Sequence, residues 1–417
     1  GDKKPGDTEK IFNLYSAGLK SNRDAWVYNF SRTSLEHRMR RMIDEYNRHV
    51  DRVHRGEITK DNVETMVNND PRSIAWSRDL KTELLRGRAH QFEEAGFVTI
   101  SMYRPFVKEW LYFSRRFNEM VYLLPMIYPK PGLDNITITV SGPGASKEFG
   151  VLMTGSIPSL DLIEKTQTFP LYTYEPIDDS VPDSEEARVM KNAGLGSDST
   201  IITAPSGRKY IRRTNITDWA LETYRRRYGE TVTREDIFYF VYGFLHSPEY
   251  RERYANDLKR SLPRIPYLKD PADFWAFAEA GRKLAHLHLN YETIEPHPDV
   301  RIEITGDPDD PETYRIQKMR FAGKRGKEDR TTIIYNEYIT IAGILPRAYE
   351  YTIAGRSPIE WVMERYQITV DEKSGIVNDP NEWLKEQNNP RYIVDLIPRL
   401  VRVSLETMDI VEGLPKL

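Results

Sequence analysis

The spacing of apolar residues changes several times along this chain, and each change limits what the segment can form. Residues 34–54 carry apolar side chains at intervals of three and four, which predicts an amphipathic helix. Short β-prone runs separated by Pro and Gly fill residues 97–174. Helical spacing returns over 217–289, and a period of two begins near 300. The pattern predicts an α+β fold, with a mixed, β-containing N-terminal half that carries basic helices, and a C-terminal half that is helical and then bears β-hairpins.

The same signals predict individual elements. The predicted helices are 34–54, 76–88, 217–229, 233–245, 247–260, 271–289, 358–366, 381–386 and 392–410. The predicted strands or hairpin segments are 25–30, 97–101, 110–113, 136–140, 150–153, 301–305, 314–321, 331–335 and 349–352.

The length of 417 residues predicts several packed units, because single domains cluster near 100–200 residues. We expect an N-terminal segment at 1–60 that joins or packs on an upstream domain, and a β-rich subdomain at 61–175. An acidic loop or linker at 176–199 separates them from a helical and β-hairpin subdomain at 200–417.

The cellular setting is predicted from what the sequence lacks. The chain has no Cys, which excludes disulfides, thiolate zinc sites and cysteine nucleophiles and fits a reducing compartment. No apolar stretch approaches the roughly 20 residues of a membrane helix, so we expect no membrane partner and a cytoplasmic protein. The first residue is Gly instead of Met, which we interpret as a sign of a fragment.

The net charge of -3 conceals an asymmetry along the chain. Residues 1–130 hold 23 Lys and Arg against 18 Asp and Glu, whereas the remainder holds 37 against 45. A nearly neutral total is therefore compatible with a polyanion-binding face in the first third.

Residues 141–147, Ser-Gly-Pro-Gly-Ala-Ser-Lys, superficially resemble a phosphate-binding loop. The spacing differs from the nucleotide-binding P-loop, Pro143 removes an amide donor, and β-like residues follow where a helix is required. We interpret the segment as a Gly-rich turn whose amides and Lys147 contact one backbone phosphate.

Histidine and carboxylate patterns do not predict catalysis. His286 and His288 lie two residues apart on a predicted helix, so they face away from each other and cannot share a metal. The paired acids at 178–179, 185–186 and 307–310 lie in polar loops, where solvated charge is the usual role. We therefore predict a recognition module with no catalytic residue and no metal site.

Basic and aromatic residues alternate in two regions, 76–116 and 208–228. Arg offers forked donors to phosphates and guanine edges, so nucleic acid is the polyanion that these regions favour. The alternative is that each Arg pairs with a neighbouring acid. The candidate DNA-binding residues are Arg78, Lys81, Arg104, Lys108, Arg115, Arg116, Ser146, Lys147, Arg212 and Arg213.

Ordered motif blocks along nearly the whole chain resemble one family, the C-terminal target-recognition region of type ISP restriction-modification enzymes. The blocks are Arg23-Asp24-Ala25-Trp26-Val27-Tyr28-Asn29-Phe30-Ser31, Tyr103-Arg104-Pro105-Phe106, Trp110-Leu111-Tyr112-Phe113, Asn118-Glu119-Met120, Phe169-Pro170, His246-Ser247-Pro248-Glu249-Tyr250-Arg251, Leu262-Pro263-Arg264-Ile265-Pro266, His288-Leu289-Asn290-Tyr291-Glu292 and Gly375-Ile376-Val377-Asn378-Asp379-Pro380.

The resemblance implies sequence-specific binding of double-stranded DNA, which positions a target adenine for an upstream methyltransferase of the same polypeptide. The nuclease, ATPase and methyltransferase motifs of the family have no counterpart in this sequence, so the resemblance implies no enzyme activity and no cofactor in this fragment. S-adenosylmethionine, ATP and magnesium are implied for the full-length enzyme. The block at Arg104 also resembles a motif that follows methyltransferase cores.

The alternative function is a structural or protein-interaction module that packs on the methyltransferase and makes little DNA contact of its own. In that alternative the N-terminal aromatic residues Trp26 and Phe30 form the contact with the upstream domain.

Overall fold

Helices and several small sheets share this chain, which confirms the predicted α+β class. The computed structural model describes residues 9–177 and 199–417. The predicted acidic loop at 176–199 lies almost wholly outside the described residues, as do the paired acids at 178–179 and 185–186.

Helices and short strands succeed one another along both described ranges. Residues 9–177 form β1 (Ser16–Ala17), α1 (Asp24–Val27), β2 (Tyr28–Asn29), α2 (Arg32–His54), α3 (Val63–Met66), α4 (Arg78–Leu84), α5 (Phe92–Ala95), β3 (Gly96–Arg104), β4 (Val107–Ser114), α6 (Leu124–Ile127), β5 (Thr137–Val140), β6 (Val151–Thr154), β7 (Ile157–Pro158), β8 (Gln167–Pro170) and β9 (Tyr172–Pro176). Residues 199–417 form β10 (Ser199–Thr203), β11 (Lys209–Thr214), α7 (Asp218–Tyr228), α8 (Arg234–Phe244), α9 (Pro248–Arg253), α10 (Ala255–Leu258), α11 (Pro271–Leu289), β12 (Arg301–Ile304), β13 (Arg320–Lys324), β14 (Lys327–Ile334), β15 (Ile339–Ala342), α12 (Pro358–Arg365), β16 (Thr369–Val370), β17 (Val377–Asn378), α13 (Pro380–Glu386) and α14 (Tyr392–Glu412).

The sheets are small and mostly antiparallel. In the described part of the chain the strand orders are β2-β4-β3-β7, β1-β8-β5-β6, β10-β11-β9, β12-β15-β14-β13 and β16-β17. One parallel pair joins β3 to β7. The strands of the described ranges are thus divided among several sheets.

The helix α2 follows its sequence pattern closely. The Ser31 hydroxyl accepts a hydrogen bond from the Ser34 amide at 3.1 Å, which caps the first turn. Leu35, Met39 and Tyr46 lie on one face and are fully buried, as the spacing of three and four predicts.

The predicted strand at 25–30 is wrong in its first half. Asp24–Val27 forms a helical turn, and only Tyr28 and Asn29 pair with β4. The buried Arg38 guanidinium of α2 donates to the Trp26 and Tyr28 carbonyls at 3.0 and 3.3 Å, so a side chain satisfies these two carbonyl oxygens. Trp26 and Phe30 lie inside the cores of this chain. Neither side chain is therefore exposed for contact with another domain.

Two glycines allow α8 and α11 to pack in close contact. A Cβ at Gly281 would overlap the Tyr239 carbonyl oxygen, and one at Gly243 would overlap the Phe277 carbonyl oxygen. The two backbones therefore touch where the helices cross.

The predicted helix at 247–260 is instead two short helices, because Tyr254 leaves the helical region with φ -110° and ψ 20°.

Two of the strands predicted near the C-terminal sheet are wrong. Residues 314–321 begin in a 3-10 turn (Pro311–Tyr314) and pair as a strand only from Arg320. Residues 349–352 begin at the last residue of another 3-10 turn (Pro346–Tyr349) and form no strand. Pro starts both turns. The alternation at 314–316 has another cause: the Asn381 side chain bonds the Ile316 amide and carbonyl at 2.8 and 2.7 Å, as a neighbouring strand would.

The hydrophobic cores draw residues from distant parts of the chain. One cluster contains Phe30, Met102 and Leu152 together with Leu287 and Leu400. Residues on both sides of the predicted boundaries at 60 and 175 thus share one core, and the division into subdomains stays a prediction. Among the described residues, no helix combines the length and apolarity needed to cross a bilayer.

Candidate nucleic-acid interface

The first group of candidate cations lies on α4 and the turn after β4. The Arg78 side chain is 88% exposed and pairs with Asp79 at 3.1 Å, while Lys81 pairs with Glu64 and is mostly buried. Arg115 is exposed, and no side-chain partner for it occurs in the described ranges. These side chains form a polar surface on which some cations are already neutralised.

Glu83 contacts several basic side chains of this surface. Its buried carboxylate receives Arg86 at 2.7 Å, Arg116 at 3.4 Å and His90 at 3.5 Å. Burial lowers the pKa of His90, although Glu83 opposes the shift, so the two arginines carry the positive charge near this carboxylate. The structure therefore brings Arg116 next to α4, as the predicted cluster requires.

Arg104 and Lys108 lie on the β3–β4 hairpin but face internal partners. The Arg104 guanidinium donates to the Tyr103 carbonyl at 2.7 Å and to the Ser159 hydroxyl at 3.2 Å, and it lies 4.1 Å from the Tyr103 ring centroid. It borders a cavity of about 300 Å³. Lys108 forms an ion pair with Glu292, and its side chain is only 20% exposed.

The Gly-rich turn at 141–147 holds a carboxylate of the chain itself. The amides of Ser146 and Lys147 donate to Glu164, each at 2.9 Å, and the Ser146 hydroxyl donates at the same distance. Burial opposes the ionised form, but these hydrogen bonds hold the pKa of Glu164 below its ordinary value. The expectation that these amides contact a phosphate is corrected, since Glu164 occupies them. The Lys147 ammonium lies 5.9 Å from the Trp361 ring centroid.

Arg212 and Arg213 are neighbours on β11 and therefore face opposite sides of its sheet. Arg212 stacks 4.4 Å from the Tyr172 ring centroid, and Arg213 pairs with Glu175 at 3.0 Å. The ten predicted residues thus lie on several separate elements, and most of them contact other residues of the chain.

A further set of cations was missed by sequence reasoning. Lys324, Arg325 and Lys327 lie at the tip of the β13–β14 hairpin and are exposed, with no side-chain partner in the part of the chain that the structure describes. The sequence does indicate this turn, since Gly-Lys-Arg-Gly-Lys at 323–327 combines turn-forming glycines with cations. The predicted strands end at 321 and resume at 331, so the tip fell between them.

The buried histidines are structural. The His288 Nδ1 lies 2.5 Å from the Tyr242 hydroxyl, and Nε2 lies 3.0 Å from the Thr407 hydroxyl. Burial lowers the pKa of His288 to about 3, so the ring is neutral. Among residues 9–177 and 199–417, no group of three or more potential metal ligands is placed to hold an ion.

Comparisons with known proteins place the chain in a family. Residues 10–396 match the model of the type ISP C-terminal specificity domain. No curated protein matches the chain.

Three solved structures resemble it closely. A nuclease-deletion mutant of the type ISP restriction-modification enzyme LlaGI, in complex with a DNA substrate mimic, is 36% identical over 98% of this chain, with a TM-score of 0.79. The ATP-dependent type ISP enzyme LlaBIII bound to DNA is 30% identical over 100% of this chain, with a TM-score of 0.81. A DrdV–DNA complex is 30% identical over 98% of this chain, with a TM-score of 0.77.

The chain spans 33%, 24% and 36% of the LlaGI, LlaBIII and DrdV chains respectively. The match to the family model covers most of its length, and the predicted family is confirmed. This chain belongs to the family of type ISP C-terminal specificity domains.

Proposed function

We propose that this chain recognises a specific duplex-DNA sequence as the specificity region of a type ISP restriction-modification enzyme. The observation that carries the proposal is the LlaGI structure, because a chain 36% identical over 98% of this one is solved with a DNA substrate mimic. In the proposal, recognition positions a target adenine for a methyltransferase in another part of the same polypeptide. This chain supplies binding, and the remainder of the enzyme supplies the chemistry.

The distribution of charge supports a duplex partner. Exposed cations lie on α4, after β4 and at the tip of the β13–β14 hairpin, where Arg78, Arg115 and Arg325 reach solvent. Contacts to phosphates fix the position of a protein on DNA, and contacts to base edges supply the sequence preference. Ion-paired side chains such as Lys81 and Lys108 can release their partners only at a cost, so the exposed cations are the first to meet the duplex.

The cofactors belong to the rest of the proposed enzyme. S-adenosylmethionine would serve the methyltransferase, and ATP with magnesium would serve the ATPase and the nuclease. The proposed setting is the cytoplasm, where cellular DNA is accessible to such an enzyme.

Salt-dependent DNA affinity tests the proposal directly. We expect the chain to bind a fluorescein-labelled random duplex, with an affinity that falls steeply between about 50 and 200 mM salt, because each phosphate contact releases counterions. Fluorescence anisotropy measures both the affinity and its slope against salt. Absence of binding at low salt, or binding with no salt slope, would contradict a DNA-binding role.

One feature favours the alternative, a module that packs on the methyltransferase. Met120, Tyr122, Leu123 and Met126 are large apolar side chains, each 38–45% exposed, within seven residues of one another. Exposed apolar groups of this kind often mark protein contacts. A negative result in the salt titration would favour this alternative, and the two roles are compatible if the titration is positive.

A further inference from the structure

A tight turn connects the two strands of the β13–β14 hairpin. Lys324 pairs with Lys327, so Arg325 and Gly326 form a two-residue connection. Gly326 has φ +80° and Gly323 has φ +87°, a region that favours glycine. A Cβ at Gly323 would meet the Lys327 carbonyl oxygen at 2.6 Å. The Glu328 carboxylate accepts from the Gly326 amide at 2.8 Å and closes the turn.

The base of the hairpin is fixed to the body of the protein. Arg330 bonds Glu360 at 2.6 Å and stacks on Tyr349, 4.4 Å from its ring centroid. The Tyr349 hydroxyl donates to the Arg330 carbonyl at 2.7 Å, and Ile333 is fully buried. The tip therefore projects from a rigid support.

The tip is cationic, and its positive charge is not neutralised by ion pairs. Residues 323–331 are all exposed. The side chains of Lys324, Arg325 and Lys327 have no hydrogen-bond or ion-pair partner in the described ranges, and neither has the side chain of Arg320 at the start of β13. Of the nearby acids, Glu328 accepts from the Gly326 amide, and Asp329 accepts from the Thr331 amide at 3.0 Å. Such a projection fits a dense, extended polyanion.

We propose that the Arg320–Ile334 hairpin enters the major groove of the duplex, with Arg325 at the base edges and Lys324 and Lys327 at the flanking phosphates. This inference rests on the proposed DNA-recognition function and names its reading element. A two-stranded β-ribbon fits the major groove, which is about 12 Å wide, and the Arg fork matches the O6 and N7 acceptors of guanine. Lys324 and Lys327 lie directly opposite each other, so they share one face of the ribbon.

A triple variant, Lys324→Ala/Arg325→Ala/Lys327→Ala, tests the role of the tip on a random duplex pool. We expect about tenfold weaker binding, with a salt slope shallower by roughly 0.9 for each phosphate that the variant no longer neutralises. A control variant of equal charge, Lys60→Ala/Arg226→Ala/Lys269→Ala, removes exposed cations elsewhere in the chain whose side chains also lack partners among the described residues. The hairpin inference is overturned if the two variants lose affinity equally, or if the hairpin variant keeps the wild-type affinity and slope.

A second duplex tests entry into the major groove. Glucosylated 5-hydroxymethylcytosine fills that groove with bulky neutral groups and leaves every phosphate in place. We expect the wild-type protein to bind this duplex about tenfold more weakly than the unmodified one, and the hairpin variant to bind both nearly equally. Equal wild-type affinity for both duplexes would overturn the inference. If the wild-type protein shows no salt-dependent binding to the unmodified duplex, the proposed function itself is refuted. Circular dichroism with thermal melting verifies that each variant is folded.

Discussion

Gly281 permits the backbone contact between α8 and α11, and a single methyl group tests its importance. In Gly281→Ala the new Cβ overlaps the Tyr239 carbonyl oxygen, so the helices must separate. We expect the free energy of unfolding to fall by about 1–3 kcal/mol, as overpacked cores usually show. Urea denaturation measures the change.

Gly413 provides the matched control at the end of α14. Its added Cβ would lie 3.5 Å from the Asp409 carbonyl oxygen, which is an ordinary contact. Gly413→Ala should change the stability little. Equal stabilities for the two alanine variants would show that the helix crossing is not under the constraint described.

Glu109 makes stability depend on pH. Burial raises the pKa of this carboxyl from 4.5 to about 7, although a hydrogen bond from Asn378 and the charge of Arg104 oppose the shift. The folded protein therefore binds an extra proton between these two values, so stability falls as the pH rises from about 4.5 to about 7. The expected contribution is on the order of 3 kcal/mol.

Glu109→Gln isolates this effect because its amide oxygen can still accept from Asn378. Denaturation at about pH 5 and about pH 8 should show a smaller loss of stability in the variant than in the wild-type protein. An identical pH dependence in both proteins would mean that Glu109 does not hold the extra proton.

The sequence shows which residues are cations, but it does not show which of them are already paired in the folded chain. Lys108 meets Glu292, 184 residues away, and the turn amides of Ser146 and Lys147 meet Glu164. These partners are brought together by the tertiary fold. By contrast, the pairing of Arg78 with Asp79 is local and could be expected from the sequence alone.

At the scale of single elements, helices were easier to predict than strands because their signals are local. The limits of α2, α8 and α11 follow from caps and spacing within the segment itself. The alternation at 314–316 was mistaken for a strand, since Asn381 supplies the hydrogen bonds from elsewhere in the chain. The cationic tip at 323–327 was missed because no apolar alternation marks it.

The N-terminus of α2 depends on a carboxylate from α13. Glu386 accepts from the Arg32 amide at 2.9 Å, the Thr33 amide at 3.3 Å and the Trp110 indole at 3.0 Å. Glu386→Gln removes the charge and one acceptor oxygen, so we expect a loss of about 1–2 kcal/mol in the free energy of unfolding. Chemical denaturation provides the measurement.

Glu382 lies on the same helix and serves as the control. Its carboxylate pairs with Lys385 at 2.8 Å on the surface. Glu382→Gln should cost less than about 0.5 kcal/mol. If the two glutamine variants were equally stable, the charge of Glu386 would have no special role at the start of α2.

At the scale of the whole molecule, the family could be predicted because ordered motif blocks extend over most of the chain, and the α+β class because the spacing of apolar residues changes along it. The packing of the parts could not be predicted, since one core unites Phe30 and Met102 with Leu400. Residues so far apart in sequence give no local sign of their contact.

The contacts between the first and last parts of the chain have a consequence for its synthesis. Besides the Glu386 bonds, the Asn29 side chain donates to the Val377 carbonyl at 3.0 Å, and the Phe30 ring lies 5.2 Å from that of Tyr366. These partners leave the ribosome more than three hundred residues after the segment that they stabilise. The nascent N-terminal part must therefore stay incompletely packed until residues 366–386 have also been synthesised.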